Sequence, residues 1–109
     1  MVYNIIPSAK FKKEAKRLLK KYPSLKNELF ALNELLQHNP TIGTPLGQDA
    51  YKIRISIKSK SAGKSGGGRI ITYVMLANRE IYLLTIFDKS EFESVDDKMI
   101  KKIIADLNI

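Results

Sequence analysis

The residues best placed to do chemistry are cations on a strand. From Tyr51 to Lys58 the chain reads Tyr-Lys-Ile-Arg-Ile-Ser-Ile-Lys, a strict alternation. Successive side chains of a strand point to opposite faces, so Tyr51, Ile53, Ile55 and Ile57 share one face and Lys52, Arg54, Ser56 and Lys58 the other. One face suits a core. The other carries cations about 7 Å apart, a spacing comparable to that of successive phosphates along an extended nucleic-acid strand, whose charge dominates such binding. A Gly/Ser/Lys loop follows, with Lys60 and Lys64 inside it and Arg69 opening the next β-prone run. Further on, Asp88-Lys89-Ser90-Glu91 collects ionisable groups after a third run. Loops after strands commonly present such residues, and this one matters only if it lies beside Lys52, Arg54 and Arg69.

The loop contains Gly63-Lys64-Ser65, which invites comparison with a phosphate-binding P-loop. The comparison fails, because the first glycine of that pattern falls on Lys58 and because a strand, not a helix, follows. What survives is looser. Gly66, Gly67 and Gly68 would let the backbone approach an anion closely, with Lys60, Lys64 and Arg69 around it.

Several elements must position these residues. Val2 to Ile6 is a short β-prone run ended by Pro7, and Ser8 stands where a helix N-cap belongs. Phe11, Ala15, Leu18, Leu19 and Tyr22 recur at helical spacing, with Lys12, Lys13, Lys16, Arg17 and Lys20 on a face read as solvated. Pro23 stops this helix, and Ser24 is expected to cap a second one striped by Leu25, Leu29, Leu32 and Leu36 and ended at Asn39-Pro40. Residues 41–50, with Gly43, Pro45 and Gly47, read as a loop. Strands are expected over 51–58, 69–76 and 80–87, the last two joined by a tight turn at Ala77-Asn78-Arg79. Ser94-Val95-Asp96-Asp97 resembles a capping box ahead of a helix striped by Met99, Ile100, Ile103, Ile104 and Leu107. The expected order is β-α-α-β-β-β-α: one α+β domain over 1–109, a four-stranded, mostly antiparallel sheet with two N-terminal helices on one face, a C-terminal helix, and the Lys52–Arg54 face open.

Composition bounds the rest. The chain has 109 residues, 44% of them hydrophobic, enough for a core. Nineteen Lys and Arg against eleven Asp and Glu leave a net charge of +8, which favours a polyanionic partner. Cysteine is absent, which excludes disulfides, thiolate catalysis and cysteine zinc sites, and the single histidine, His38, cannot form a metal cluster alone. No apolar run approaches a bilayer-spanning length and the N-terminus lacks a signal-peptide pattern, so the expectation is a soluble cytoplasmic protein with no membrane partner.

The element order, Tyr51-Lys52-Ile53-Arg54, the segment Gly63 to Ile71 and Ile86-Phe87-Asp88-Lys89-Ser90-Glu91 together resemble the RelE/ParE superfamily of toxins. The glycine loop and the Asp-Lys-Ser-Glu ending are most similar to its RelE/HigB-like members, and the resemblance spans nearly the whole chain. It implies a toxin of a type II toxin–antitoxin system that cuts mRNA on the ribosome, by attack of a ribose 2′-OH on the adjacent phosphate, without metal or cofactor. ParE members instead inhibit DNA gyrase by binding it, and that is the alternative. A basic nucleic-acid-binding module without chemistry is a third reading.

Carried over residue by residue, the resemblance implies Lys52 as a catalytic lysine, with neighbouring cations favouring the neutral amine a base must present. Arg54 stands where RelE has lysine; as an arginine it clamps phosphate and is a poor base. Arg69 matches a transition-state arginine. Lys89 falls beside the place of a second catalytic arginine and is the candidate acid. Glu91 is either an alternative base or a residue that orients Lys89. A base-stacking tyrosine of the C-terminal helix has its counterpart near Asp96, so that role is absent or passes to Phe92. Lys58, Lys60 and Lys64 are the expected RNA-binding lysines. The implied partners are mRNA, the ribosome and a cognate antitoxin whose acidic segment covers Lys52, Arg54 and Arg69 or displaces the helix from Asp97 to Leu107.

Overall fold

The computed structural model describes residues 2–57, 67–89, 91 and 95–107. Its elements are β1 (Asn4–Pro7), α1 (Ala9–Lys21), α2 (Leu25–His38), β2 (Thr44–Gly47), β3 (Ala50–Ile55), β4 (Gly68–Met75), β5 (Glu80–Asp88) and α3 (Asp97–Asp106), with one 3-10 turn at Leu76–Asn78. The α+β class and the element order follow the sequence. The sheet, however, has five strands in the order β1-β5-β4-β3-β2. The added strand is β2, from the segment read as a loop. Four residues with Pro45 and Gly47 carry little strand signal, yet Thr44 and Pro45 pair antiparallel with Lys52 and Tyr51 at the sheet edge, where a proline is tolerated. β1 lies at the other edge, parallel to β5 from Asn4↔Glu80 to Pro7↔Leu83.

The entry into α1 is built as expected. Ser8 is extended (φ −72°, ψ 164°) and its Oγ accepts the Phe11 N–H at 3.0 Å. The same hydroxyl donates to Leu84 O at 2.8 Å, which ties the helix start to the central sheet. Ser24 departs from expectation. It is already helical in backbone (φ −66°, ψ −16°) and its side chain makes no capping bond, because only an extended N-cap aims its oxygen at the N3 amide. At α3 the cap is Asp96, which accepts the Met99 N–H at 2.8 Å, two residues past the expected Ser94.

Two cores sandwich the sheet. On one side α1 and α2 bring Phe11, Ala15, Leu18, Leu25, Leu32 and Leu36 against Ile53, Ile55, Ile57, Ile70, Val74, Ile81 and Ile86. On the other, Ile100 and Ile103 of α3 pack on Ala50, Ile71, Tyr82, Leu84 and Phe87. The strand register read from alternation is therefore right: Ile53 and Ile55 are buried and Arg54 is exposed. The expectation of a fully open second face is not. The apolar stripe of α3 needs its own cover, and α1 and α2 already occupy the first face.

Candidate anion site on the sheet

The β3–β4 register sets Arg54 directly opposite Arg69 and Lys52 opposite Ile71. Antiparallel partners have Cβ atoms about 4.5–5.5 Å apart, and like charges so placed destabilise the pair. Arg54 is exposed and sheds part of that penalty into water. Arg69 does not, being only 3% exposed. Its Nη1 donates to Gly68 O at 3.0 Å. Its Nη2 is buried without a hydrogen-bond partner among the described residues. Burial, and secondarily the charge of Arg54, hold the Arg69 guanidinium below its ordinary pKa. A buried donor beside a second cation is an unfavourable arrangement that an oxyanion would relieve.

Phe87 stands opposite Arg69 on β5. The ladder runs one step further, with Lys89 N–H donating to Gly67 O at 3.1 Å. Continuing the alternation from Phe87 puts Lys89 at a diagonal to Arg69, about 7–8 Å away by sheet geometry. The structure thus brings Arg54 and Arg69 together, with half-buried Lys52 one row further along β3, and fixes the backbone of Lys89 at the end of the β4–β5 ladder.

Glu91 does not join them. Its carboxylate takes two hydrogen bonds from Arg17 of α1, at 2.8 and 3.3 Å. That bond is the first cause of a raised Arg17 pKa. Beside it Tyr22 donates its hydroxyl proton to the buried Asp88 at 2.8 Å. One contact from α1, at Arg17, and one from its C-cap, Tyr22, therefore hold the chain on either side of Lys89. Sequence reasoning missed Arg17, Tyr22 and Asp88. An aspartate ending the apolar run Ile86-Phe87 was the one available signal, since a carboxylate there must find a donor.

The glycine loop divides. Lys58, Lys60 and Lys64, like Phe92, lie outside the described residues. Gly67 and Gly68 are described and pack closely against β3. A Cβ on Gly67 would collide with Ile55 O, and one on Gly68 would sit 3.1 Å from Ile55 Cγ1. These glycines are small so that β4 can close on β3. Among the described residues no cluster of three or more His, Cys, Asp or Glu side chains could hold a metal ion, and no helix is long and apolar enough to cross a membrane.

A five-stranded sheet with a helical pair on one face and the cation-bearing strands in its middle, together with the likeness below, defines a RelE-like fold. No family model matches the chain. Among solved structures it is similar to E. coli toxin RelE, as an arginine-to-alanine double mutant in the free state. That match has a TM-score of 0.61 over 85% of this chain and 90% of that one, at 18% identity. At that identity the likeness is one of fold.

Proposed function

We propose that this protein is the toxin of a type II toxin–antitoxin system and a ribosome-dependent, metal-independent endoribonuclease acting on mRNA. The observation that carries the reading is Arg69, a buried cation set against Arg54 whose Nη2 has no partner among the described residues. A surface that only binds protein has no reason to maintain that pair, whereas a phosphate passing through a crowded, more highly charged state needs both.

In this reading Arg54 and Arg69 hold the scissile phosphate. Lys52 takes the proton from the ribose 2′-OH. The 2′-oxygen bonds to phosphorus, the P–O5′ bond breaks, and Lys89 gives a proton to the departing 5′-oxygen. The products are a 2′,3′-cyclic phosphate and a 5′-hydroxyl. The Arg17 pairing supports Glu91 as a brace for the Lys89 segment rather than as the base. Lys58, Lys60 and Lys64 contact the RNA backbone and Phe92 stacks on a base. A cognate antitoxin neutralises Lys52, Arg54 and Arg69 with an acidic segment.

The test is induced expression followed by end-mapping of translated mRNA, with single-turnover cleavage on programmed ribosomes. Cuts should carry cyclic or 3′-phosphate and 5′-hydroxyl ends and persist in EDTA at a magnesium level that keeps ribosomes intact. Arg69→Ala should slow cleavage by about two orders of magnitude, as for loss of a transition-state charge contact. Unchanged cleavage in that variant sinks the reading, and gyrase arrest without RNA cutting transfers it to the ParE-like alternative.

A further inference from the structure

β5 ends in a group of contacts that take no direct part in the cleavage chemistry. Asp88, its last residue, is fully buried, and Tyr22, the C-cap of α1, donates its hydroxyl proton to Asp88 Oδ2 at 2.8 Å. Asp88 lies two residues beyond Ile86 and so shares the sheet face that α1 and α2 cover. The next residue, Lys89, is sent by alternation to the face of Arg54 and Arg69. The backbone around Lys89 is held as well. Its own N–H donates to Gly67 O at 3.1 Å, and the Glu91 N–H returns to Asp88 O at 2.9 Å.

α1 is tied to β5 along its whole length. At its start the Ser8 hydroxyl donates to Leu84 O at 2.8 Å. Midway Glu14 accepts the proton of the buried Thr85 hydroxyl at 2.6 Å. At its end Tyr22 meets Asp88. Stability alone does not ask for a carboxylate at this last point, because burying one costs more than burying an aliphatic side chain of similar size. What the carboxylate adds is direction. A hydrogen bond fixes a distance and an angle, where apolar packing permits rotation.

We propose that Tyr22 is a positioning residue for proton donation: through Asp88 it sets where the Lys89 ammonium stands relative to the departing 5′-oxygen. The inference rests on the reading of Lys89 as the acid. Tyr22 touches neither RNA nor the reacting atoms, since it lies on the opposite side of the sheet. One step depends on it. As the P–O5′ bond breaks, its electron pair stays on the 5′-oxygen, which takes a proton from Lys89 Nζ and leaves a neutral amine for water to reprotonate. Without the Tyr22 hydroxyl the end of β5 relaxes and the ammonium moves off line, and a displacement of about 1 Å is enough to cost up to about 10²-fold.

The test compares two mRNA substrates on programmed ribosomes in single turnover, one with the ordinary 5′-oxygen at the cut and one with sulfur in its place. A thiolate leaves without a proton, so sulfur removes the demand for an acid and keeps the demand for phosphate stabilisation. On the oxygen substrate Tyr22→Phe should cut about tenfold more slowly and Lys89→Ala about a hundredfold. Binding of Tyr22→Phe to the ribosome should be unchanged, and its circular dichroism that of the wild type. On the sulfur substrate both variants should cut within about twofold of wild type, because the acid no longer counts, while Arg69→Ala stays slow on both. A wild-type rate for Tyr22→Phe on the oxygen substrate overturns the inference and leaves the nuclease reading standing. So does a loss of equal size on both substrates, which would make the Tyr22–Asp88 bond a structural contact only. Lys89→Ala slow on both would remove Lys89 as the acid and the inference with it. A wild type that cuts neither substrate refutes the nuclease reading itself, and with it this inference.

Discussion

Arg69→Met should make the protein more stable while removing its capacity to hold phosphate. Methionine keeps the unbranched apolar stem and discards the charge. In the wild type the Nη2 donor is buried without a partner among the described residues, a cost of about 1–3 kcal/mol for a group of this kind. The like-charge pairing with Arg54 adds some tenths of a kcal/mol, to about 1 at most. Against this stands the loss of the Nη1 bond to Gly68 O, worth about 1 kcal/mol. The net expectation is a gain of about 1–2 kcal/mol. For a domain near this size that raises Tm by roughly 5–15 °C.

The assay is urea and thermal unfolding of both proteins, with and without pyrophosphate. An anion that binds only the folded wild type at about ten times its Kd should add about 1.4 kcal/mol there and nothing in the variant. Titration with pH is not the handle. Arg69 is a base whose folded-state pKa is depressed, so its destabilising effect holds at every pH below that depressed value and fades only as pH rises through it into strong alkali. A variant destabilised by 1 kcal/mol or more would mean that Nη2 has a partner, and pyrophosphate stabilising both proteins equally would place the anion elsewhere. Either result refutes the reasoning.

Ser8→Ala removes both the cap on α1 and the hydroxyl donated to Leu84 O, and should cost about 2 kcal/mol in urea unfolding without altering RNA contacts. Breaking the exposed Arg17–Glu91 pair with Glu91→Gln should change stability by less than about 1 kcal/mol yet slow cleavage severalfold. Arg17→Glu with Glu91→Arg should restore the rate if Glu91 is a brace, and a rate abolished in both proteins would return Glu91 to the role of base. Burial, and then its hydrogen bond to Glu80, hold the Tyr82 phenol above its usual pKa. Its contribution is thus complete below about pH 10 and lost as pH rises through the raised value. Urea midpoints of wild type should therefore fall more steeply above pH 10 than those of Tyr82→Phe.

The strand register around Lys52 and Arg54 was legible because period-2 alternation has one solution when one face is apolar. Ser8 was legible because an extended serine before a helical stripe has a single stereochemical use. β2 was not, since its four residues are held by pairing with Lys52 and Tyr51 rather than by propensity. The placement of α3 depends on which sheet face remains after α1 and α2 have docked, a tertiary fact absent from its own stripe. The site was legible in part. Lys52, Arg54 and Arg69 could be named, but an arginine opening a strand after a glycine loop reads as exposed. Its burial arises only when Phe87 and Arg54 close on either side. The partners of Glu91 and Asp88 are 74 and 66 residues away, Arg17 on a helix face whose charges read as solvated and Tyr22 at the end of the apolar stripe.

The location of the cation pair bears on how it can persist at all. Arg54 and Arg69 sit on β3 and β4, inside the sheet, with strands on both sides of each. A repulsive pair on a loop would relax by moving apart. Here the ladder from Ala50↔Tyr73 to Ile55↔Gly68 holds the two backbones in fixed register, and Ile53, Ile55 and Ile70 anchor them from the opposite face. Gly67 and Gly68 allow the close approach that keeps the end of that ladder shut. The fold thus supplies the rigidity that unfavourable electrostatics requires, and under the proposed function the charges would meet an anion without first being gathered. Preorganisation of this kind is what makes a charge contact count when negative charge builds up on phosphorus. It also means that stability and phosphate binding must trade against each other at Arg69. A substitution that improved both would contradict the arrangement from which the function is inferred.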